Sequence, residues 1–461
     1  MRLLKVFFLF NNVFKTISDE GIKYGRVILM SITLGIRRED KNIWEKRVPI
    51  IPDHVKELEE KHGIKTIIQP SKIRIFEDEE YKEIKAKVDE NLNDANVVFA
   101  VKEIPIDFFE KNKTYIFFAH VTKGQEHNMP MLKKMMDLGC NLIDYEKITD
   151  EKNRRLVFFG RYAGLAGMVD TLWAFGQRMK YKKIITPLNE IKQSIYYNGI
   201  DEIKNHFRKI GKKIQQHGLP NDILPMVVGF AGYGNVSKGA QEIIDILPIK
   251  EINPKELETL DKNYSNKVIY KVVFKEEDTV ESVLLNKKFD LQEYYSNPEL
   301  YHSIFNRYIP YLSILMNCIY WTERNPRLIT KKFIKEQYSK KMKLQIIGDI
   351  SVDINGAIEF TSKTTTTSNP VFVYNPITDN ITDNCKDDGI VVMAVDNLPC
   401  ELPKESSIEF SNTLLSYIPN IVKANFSTDF NSLDLPSEIK KAVILYHGKL
   451  APNYKYISKF L

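Results

Sequence analysis

The chain has 461 residues, enough for two or three domains that each bury a core of their own. Its 43% hydrophobic and 27% charged residues exclude wholesale disorder, and a net charge of +6 set against 66 basic and 60 acidic side chains describes a mixed surface, not a nucleic-acid-binding stripe. Four scattered cysteines, Cys140, Cys318, Cys385 and Cys400, form no CxxC pair, so neither a disulfide framework nor a structural zinc is expected, and the compartment reads as reducing.

Residues 1–30 stand apart. Arg2, Lys5 and Lys15 flank an apolar run in the manner of an organelle presequence, Asp19 and Glu20 break that pattern, and the run at 6–10 is far shorter than the roughly 20 residues that span a bilayer. The segment reads as an extension or a presequence, which makes the mitochondrial matrix the expected location and the cytoplasm its alternative.

From residue 31 the pattern becomes regular. SITLGIR predicts a strand, DHVKELEEKHG a helix ending at Gly63, KTIIQP a strand, and EEYKEIKAKVDENLNDA a charged helix over 79–95. NVVFAVKEIP and TYIFFAH follow as strands, MLKKMMDLG as a helix and LIDYE as a strand, and this alternation predicts a parallel α/β sheet. GRYAGLAGMVDTLWAFGQRM is a helix whose Gly160, Ala163, Gly164 and Gly167 admit another backbone closely; it reads as a hinge between domains. PMVVGFAGYGNVSKGAQEIIDIL is a strand, a glycine turn and a helix in succession. The tyrosine-rich section 254–308 reads as an insertion, KLQIIGDISVD and IVVMAVDNLP as strands ending in acids, and the part after 401 as a helix and a tail returning to the first domain.

Gly232, Gly234 and Gly239 have the spacing GxGxxxxG, with Ser237 where GxGxxG places its third glycine. Such a turn lets the backbone approach a pyrophosphate, whose charge the free N–H groups of the next helix favour. About 20 residues on, where an acidic side chain holds the ribose of NAD, the chain reads Lys250-Glu251-Ile252-Asn253. A strand ending at Asn253 leaves a 2′-phosphate unrepelled and Lys250 to attract it, which points to NADP; an end at Glu251 points to NAD. Lys102, Glu103, His120 and Glu146 each close an apolar strand, where open α/β sheets collect ligands. Arg37, Arg38, Glu45 and Arg47 follow the first strand and suit either carboxylate binding or a solvated loop. Asp349, Asp353 and Asp396 close later strands and suit capping as well as binding.

Taken together, RREDKNIWEKRVPIIP, VKEIP, YIFFAHVTKGQEHN, LIDYEKI, FFGRYAGLAGM, GFAGYGNVSKGAQ, IYW, GDISVD, IEF and VDNLPCELP resemble, in the same order from about residue 33 to 457, the lysine-ketoglutarate reductase half of aminoadipic semialdehyde synthase, the lysine-forming saccharopine dehydrogenase. The resemblance implies an α/β fold of two Rossmann-like domains with an interdomain cleft, alanine dehydrogenase/transhydrogenase-like. It divides the chain into 31–159 with 401–461 for substrate and 160–400 for the dinucleotide. It implies condensation of L-lysine with 2-oxoglutarate and reduction to saccharopine by NADPH, with NAD left open. By the same resemblance Lys102 and His120 are the acid–base pair, and Glu45, Arg47, Glu103, Lys123 and Glu146 line the substrate site. Gly232, Gly234, Asn235 and Gly239 form the cofactor turn, with Asn253 and Asp396 near the cofactor. The chain stops at KYISKFL, near the end of that half, so a separate saccharopine dehydrogenase is the expected next enzyme; no nucleic acid or membrane partner is expected. Against this stand an NAD-dependent saccharopine or alanine-type dehydrogenase and a catalytically silent dinucleotide sensor.

Overall fold

A computed structural model describes residues 13–18, 21–26, 32–340 and 342–461, and among them no helix is long and apolar enough to cross a membrane. The chain forms two compact units: one of Met1–Lys41, Val48–Val157 and Phe410–Leu461, the other of Asn42–Arg47 and Phe158–Glu409. Of the stretch read as an extension or presequence, the described part pairs β1 (Val13–Ser18) with β2 (Gly21–Arg26) antiparallel; the rest lies outside the described residues.

The first unit continues with β3 (Thr33–Ile36), α1 (Pro52–His62), β4 (Lys65–Ile68), α2 (Asp78–Glu83), β5 (Lys87–Val88), β6 (Val97–Phe99), β7 (Thr114–Phe117), α3 (Met129–Asp137) and β8 (Asn141–Asp144). Helix α1 starts with Pro52 at its first position and stops at Gly63, whose φ of 67° closes a left-handed cap. The helix predicted over 79–95 is shorter than expected: Lys85 turns left-handed at φ 67°, Ala86 N–H returns to the Tyr81 carbonyl, and the chain continues as β5. Packing wins over helix propensity there, since Tyr81 is fully buried and donates to the Ile50 carbonyl.

The second unit holds α4 (Gly160–Tyr181), α5 (Ile200–His217), β9 (Val227–Ala231), α6 (Asn235–Ile244), β10 (Ile249–Glu251), β11 (Ile269–Phe274), α7 (Glu276–Thr279) and β12 (Val280–Ser282). It goes on through α8 (Leu291–Ser296), β13 (Tyr301–Ser303), β14 (Ile314–Asn317), α9 (Lys331–Tyr338), β15 (Ile346–Asp349), β16 (Val371–Asn375), β17 (Asn380–Thr382) and β18 (Ile390–Met393). Helix α10 (Pro403–Leu415) leads back to the first unit, which α11 (Ile418–Lys423), α12 (Ser437–Lys441), β19 (Val443–Tyr446) and β20 (Lys449–Leu450) complete.

Each unit is built on an eight-stranded sheet. In the first the order is β20-β19-β8-β7-β6-β3-β4-β5, parallel except where β19 pairs antiparallel with β8 and with β20. In the second it is β10-β11-β9-β14-β15-β18-β16-β17, parallel up to β18 and antiparallel beyond. Strands buried on both faces, such as Val228, Phe230 and Ile314 on one side and Val227, Ala231 and Leu315 on the other, need an apolar run without alternation. Both sheets are doubly wound, with the switch between β3 and β6 in the first unit and between β9 and β14 in the second.

Two details differ from the sequence reading. The section 254–308 is not an insertion throughout, because β11 lies inside the sheet between β10 and β9; the ribbon of β12 and β13, with α8 between them in the chain, forms no part of that sheet. Residues 42–47, read with the substrate domain, pack with the second unit.

Candidate active site

In the first unit the loops after β3, β6, β7 and β8 leave the carboxyl edge of one parallel sheet. At the switch point, buried Glu39 accepts from the N–H of Val101 at 2.7 Å and of Lys102 at 2.9 Å, which fixes the backbone that carries Lys102 and Glu103. Lys102 itself is half-buried. Across from it, His120 has φ 49°, a left-handed conformation that L side chains adopt at a cost and that recurs at functional sites. Its Nδ1 lies 2.6 Å from Glu103 Oε1, and Lys41 Nζ lies 3.3 Å from the other oxygen. Burial pushes the Glu103 carboxyl up, yet the hydrogen bond and charge of His120, with Lys41, outweigh it and hold the group well below the usual carboxylate range. The Nε2 of His120 is therefore the ring nitrogen turned away from its ionised partner.

The remaining expected residues separate by role. Glu146 pairs with Arg155, and Lys123 is exposed in the turn before Gly124. Arg37 is buried against Asp40 and over the Phe108 ring, while Arg38 binds Glu90, so both serve the fold. Sequence reasoning missed Glu39 and Asp144. Asp144 ends β8 fully buried, accepts from Glu146 N–H at 2.9 Å, and has its carboxyl pushed up to about 6 by burial against the pull of His120, Lys147, the Ala119 N–H and Arg155.

In the second unit Glu45 and Arg47 bind one another through two hydrogen bonds of 2.7 and 2.6 Å, both fully buried. Asn397 closes the group at 3.0 Å from Arg47 and 2.8 Å from Glu45, and the guanidinium lies 4.2 Å over the Phe159 ring. Arg47 thus holds the Glu45 carboxylate, and Asn397 directly follows exposed Asp396 in the chain. Asp349 is buried and heads no helix among the described residues; it fixes the loop after β15, accepting from Thr361 at 2.6 Å, Asn317 at 2.9 Å and Val352 N–H at 3.1 Å.

The glycine turn follows β9 at the second switch point. Gly232 has φ 96° and its N–H reaches the Phe274 carbonyl of β11 at 3.0 Å. A Cβ on Gly239 would stand 2.1 Å from the Arg161 carbonyl, and one on Gly164 would stand 2.0 Å from that of Val236, so α4 and α6 pack backbone against backbone. A Cβ on Gly234 would meet no heavy atom within 4 Å among the described residues. Open space at Gly234, at the start of the ten-residue α6 where no side chain among the described residues caps the first turn, with Asn235 exposed, fits a dinucleotide pyrophosphate.

The sheet order places Asn253 after an edge strand, not after the neighbour of β9. The strand before it, β10, is the edge strand, roughly 10 Å from β9 at two strand spacings, with β11 between them. Asn253 hydrogen-bonds Glu256 at the start of a short helix, and Glu251 pairs with Lys271 at 3.0 Å. The acidic residue nearest the turn along the neighbouring strand is instead Glu276, just past the end of β11.

Two domain models match this chain: Alanine dehydrogenase/PNT, N-terminal domain, over residues 35–166, and Alanine dehydrogenase/PNT, C-terminal domain, over 226–453. The chain belongs to the alanine dehydrogenase/PNT family. It is 36% identical to alpha-aminoadipic semialdehyde synthase of Arabidopsis thaliana over 92% of its own length and 41% of that protein's. With the mitochondrial enzyme of that name from Mus musculus it shares 34% over 92% of its length and 47% of the relative's. It thus spans less than half of either relative. The NAD(+), L-lysine-forming saccharopine dehydrogenase of Yarrowia lipolytica is 26% identical, with 83% of this chain and 90% of that protein covered. Among solved structures an L-alanine dehydrogenase superposes with a TM-score of 0.58 at 17% identity, covering 93% of this chain and all of the other. The transhydrogenase of Sinorhizobium meliloti gives 0.52 at 13%, covering 91% of this chain and all of that one.

Proposed function

We propose that this oxidoreductase condenses L-lysine with 2-oxoglutarate and reduces the product to saccharopine. The observation that carries the reading is the His120–Glu103 pair at the ends of adjacent parallel strands, beside a Lys102 whose backbone Glu39 fixes. The names of the relatives supply the substrate class, and the open glycine turn supplies a place for a nicotinamide dinucleotide.

The chemistry needs proton transfer at three stages. A lysine ε-amine has a pKa of about 10.4 and attacks a ketone only after losing its proton. The carbinolamine then needs an acid to expel water, and the resulting imine accepts hydride only once protonated. His120, oriented at Nδ1 by an ionised carboxylate, presents Nε2 to accept and return a proton, in the way a buried aspartate orients a catalytic imidazole. The Lys102 ammonium supplies the second proton and a positive charge for a substrate carboxylate. Bound reduced nicotinamide supplies the hydride. Glu146 and Lys123 remain the proposed substrate contacts at this edge.

The decisive assay is oxidation of NADH and of NADPH by purified protein given lysine, 2-oxoglutarate, or both, with the product weighed by mass spectrometry. Oxidation that needs both substrates and yields saccharopine is expected. Oxidation with ammonia and pyruvate in place of lysine and 2-oxoglutarate would instead assign an alanine-type dehydrogenase.

A further inference from the structure

The sheet order changes where cofactor selectivity is to be sought. In a doubly wound fold the strand beside the glycine-turn strand ends next to the adenine ribose, and an acidic side chain there takes the 2′-hydroxyl. In this chain that strand is β11, although β10 precedes it in sequence. The register is fixed by Ala231 of β9 opposite Phe274 of β11 and by the hydrogen bond of Gly232 N–H to the Phe274 carbonyl. Glu276 stands two residues beyond that carbonyl.

Three further observations point the same way. Tyr295 Oη donates to Glu276 Oε1 at 2.7 Å, so the carboxylate is held by α8, the helix between β12 and β13 in the chain. Tyr233, between the first two glycines of the turn, is close enough to the same carboxylate that burial and its charge together push the phenol up. The segment Glu276-Glu277-Asp278 sets three acidic residues against the single Lys275 where a 2′-phosphate would carry its charge. Glu251, the earlier candidate, is already paired with Lys271.

We propose that Glu276 selects the cofactor, accepting the ribose 2′-hydroxyl and repelling a 2′-phosphate, so that the protein prefers NADH to NADPH. The proposal rests on the dinucleotide reading of the glycine turn. It gives the excursion of β12, α8 and β13 a role, because that excursion delivers Tyr295 to the carboxylate as a positioning residue.

The test is calorimetric titration of the intact protein with NADH and with NADPH, for the parent, Glu276→Gln, Glu276→Arg and Tyr295→Phe. The parent should bind NADH roughly tenfold or more tighter, the worth of one charge-assisted hydrogen bond exchanged for repulsion. Glu276→Gln should bring the two affinities close together, Glu276→Arg should reverse the preference, and Tyr295→Phe should narrow it. A parent that prefers NADPH, or a ratio that Glu276→Gln leaves unmoved, overturns the proposal. Binding of neither cofactor sinks it together with the dinucleotide reading. The expected ratios without turnover of lysine and 2-oxoglutarate would uphold Glu276 while removing the substrate assignment.

Discussion

His120 gives the sharpest test at the level of single side chains. If its ring and Lys102 move the protons, His120→Asn and Lys102→Met should each lower kcat/KM by about 10²–10⁴-fold, the usual worth of a positioned acid or base, with dinucleotide affinity unchanged by calorimetry. Glu103→Gln keeps the shape of the pair and removes its charge; a loss of about 10²–10⁴-fold is expected, because an amide no longer holds His120 in the tautomer that leaves Nε2 free to accept a proton. A different residue reports on stability. Burial lifts the Asp349 carboxyl to about 6, above the roughly 3.9 of an unfolded chain, so the native state holds its proton more tightly. That contribution is intact below pH 4 and is lost as pH rises towards 6, by at most about 3 kcal/mol. Urea midpoints at pH 4.5 and 7.5 should differ less for Asp349→Asn than for the parent; an unchanged difference would show that Asp349 is not the group responsible.

At the level of elements, α4 and α6 meet through glycine, and two substitutions separate what packing needs from what binding needs. Gly164→Ala drives a Cβ into the Val236 carbonyl, so about 1–3 kcal/mol of stability should go, seen as a lower urea midpoint. Gly234→Ala meets no neighbour and has an ordinary φ of −74°, so its midpoint should hold while dinucleotide affinity falls. The order of elements was legible because strands such as VVGFA and IIGD are apolar runs closed by glycine or acid. Their lateral order was not, since nothing in a linear pattern says that β11 inserts between β10 and β9. For this reason the sequence drew attention to Asn253 and passed over Glu276, although IYKVVF followed by one lysine and then three acids is itself a strand-end signal. The same limit applies to Glu45 and Arg47, whose residue types suit carboxylate binding or a solvated loop and which the fold buries bonded to one another. Glu39 gave no signal at all, because its partners are backbone groups 62 and 63 residues away.

For the molecule as a whole, two sheets with separate cores mean that a ligand of one should protect that one. NADH at about 100 times its dissociation constant adds about 2.7 kcal/mol to the unit that binds it. Amide exchange should therefore slow in β9, α6 and β11 and stay unchanged in β3 and β4; protection spread evenly over both would contradict the assignment of the turn. The return of the chain to its first sheet carries a cost in time. Strand β8 finds its outer neighbour only in β19, some 300 residues later, a delay of roughly 15–60 s at ordinary rates of synthesis. Throughout that interval a nascent chain exposes an open parallel edge, with the His120 loop on the strand next to it. Capture by a chaperone, or by the matching edge of another nascent copy, competes with folding during that wait, and a chain cut before β19 stays in that state.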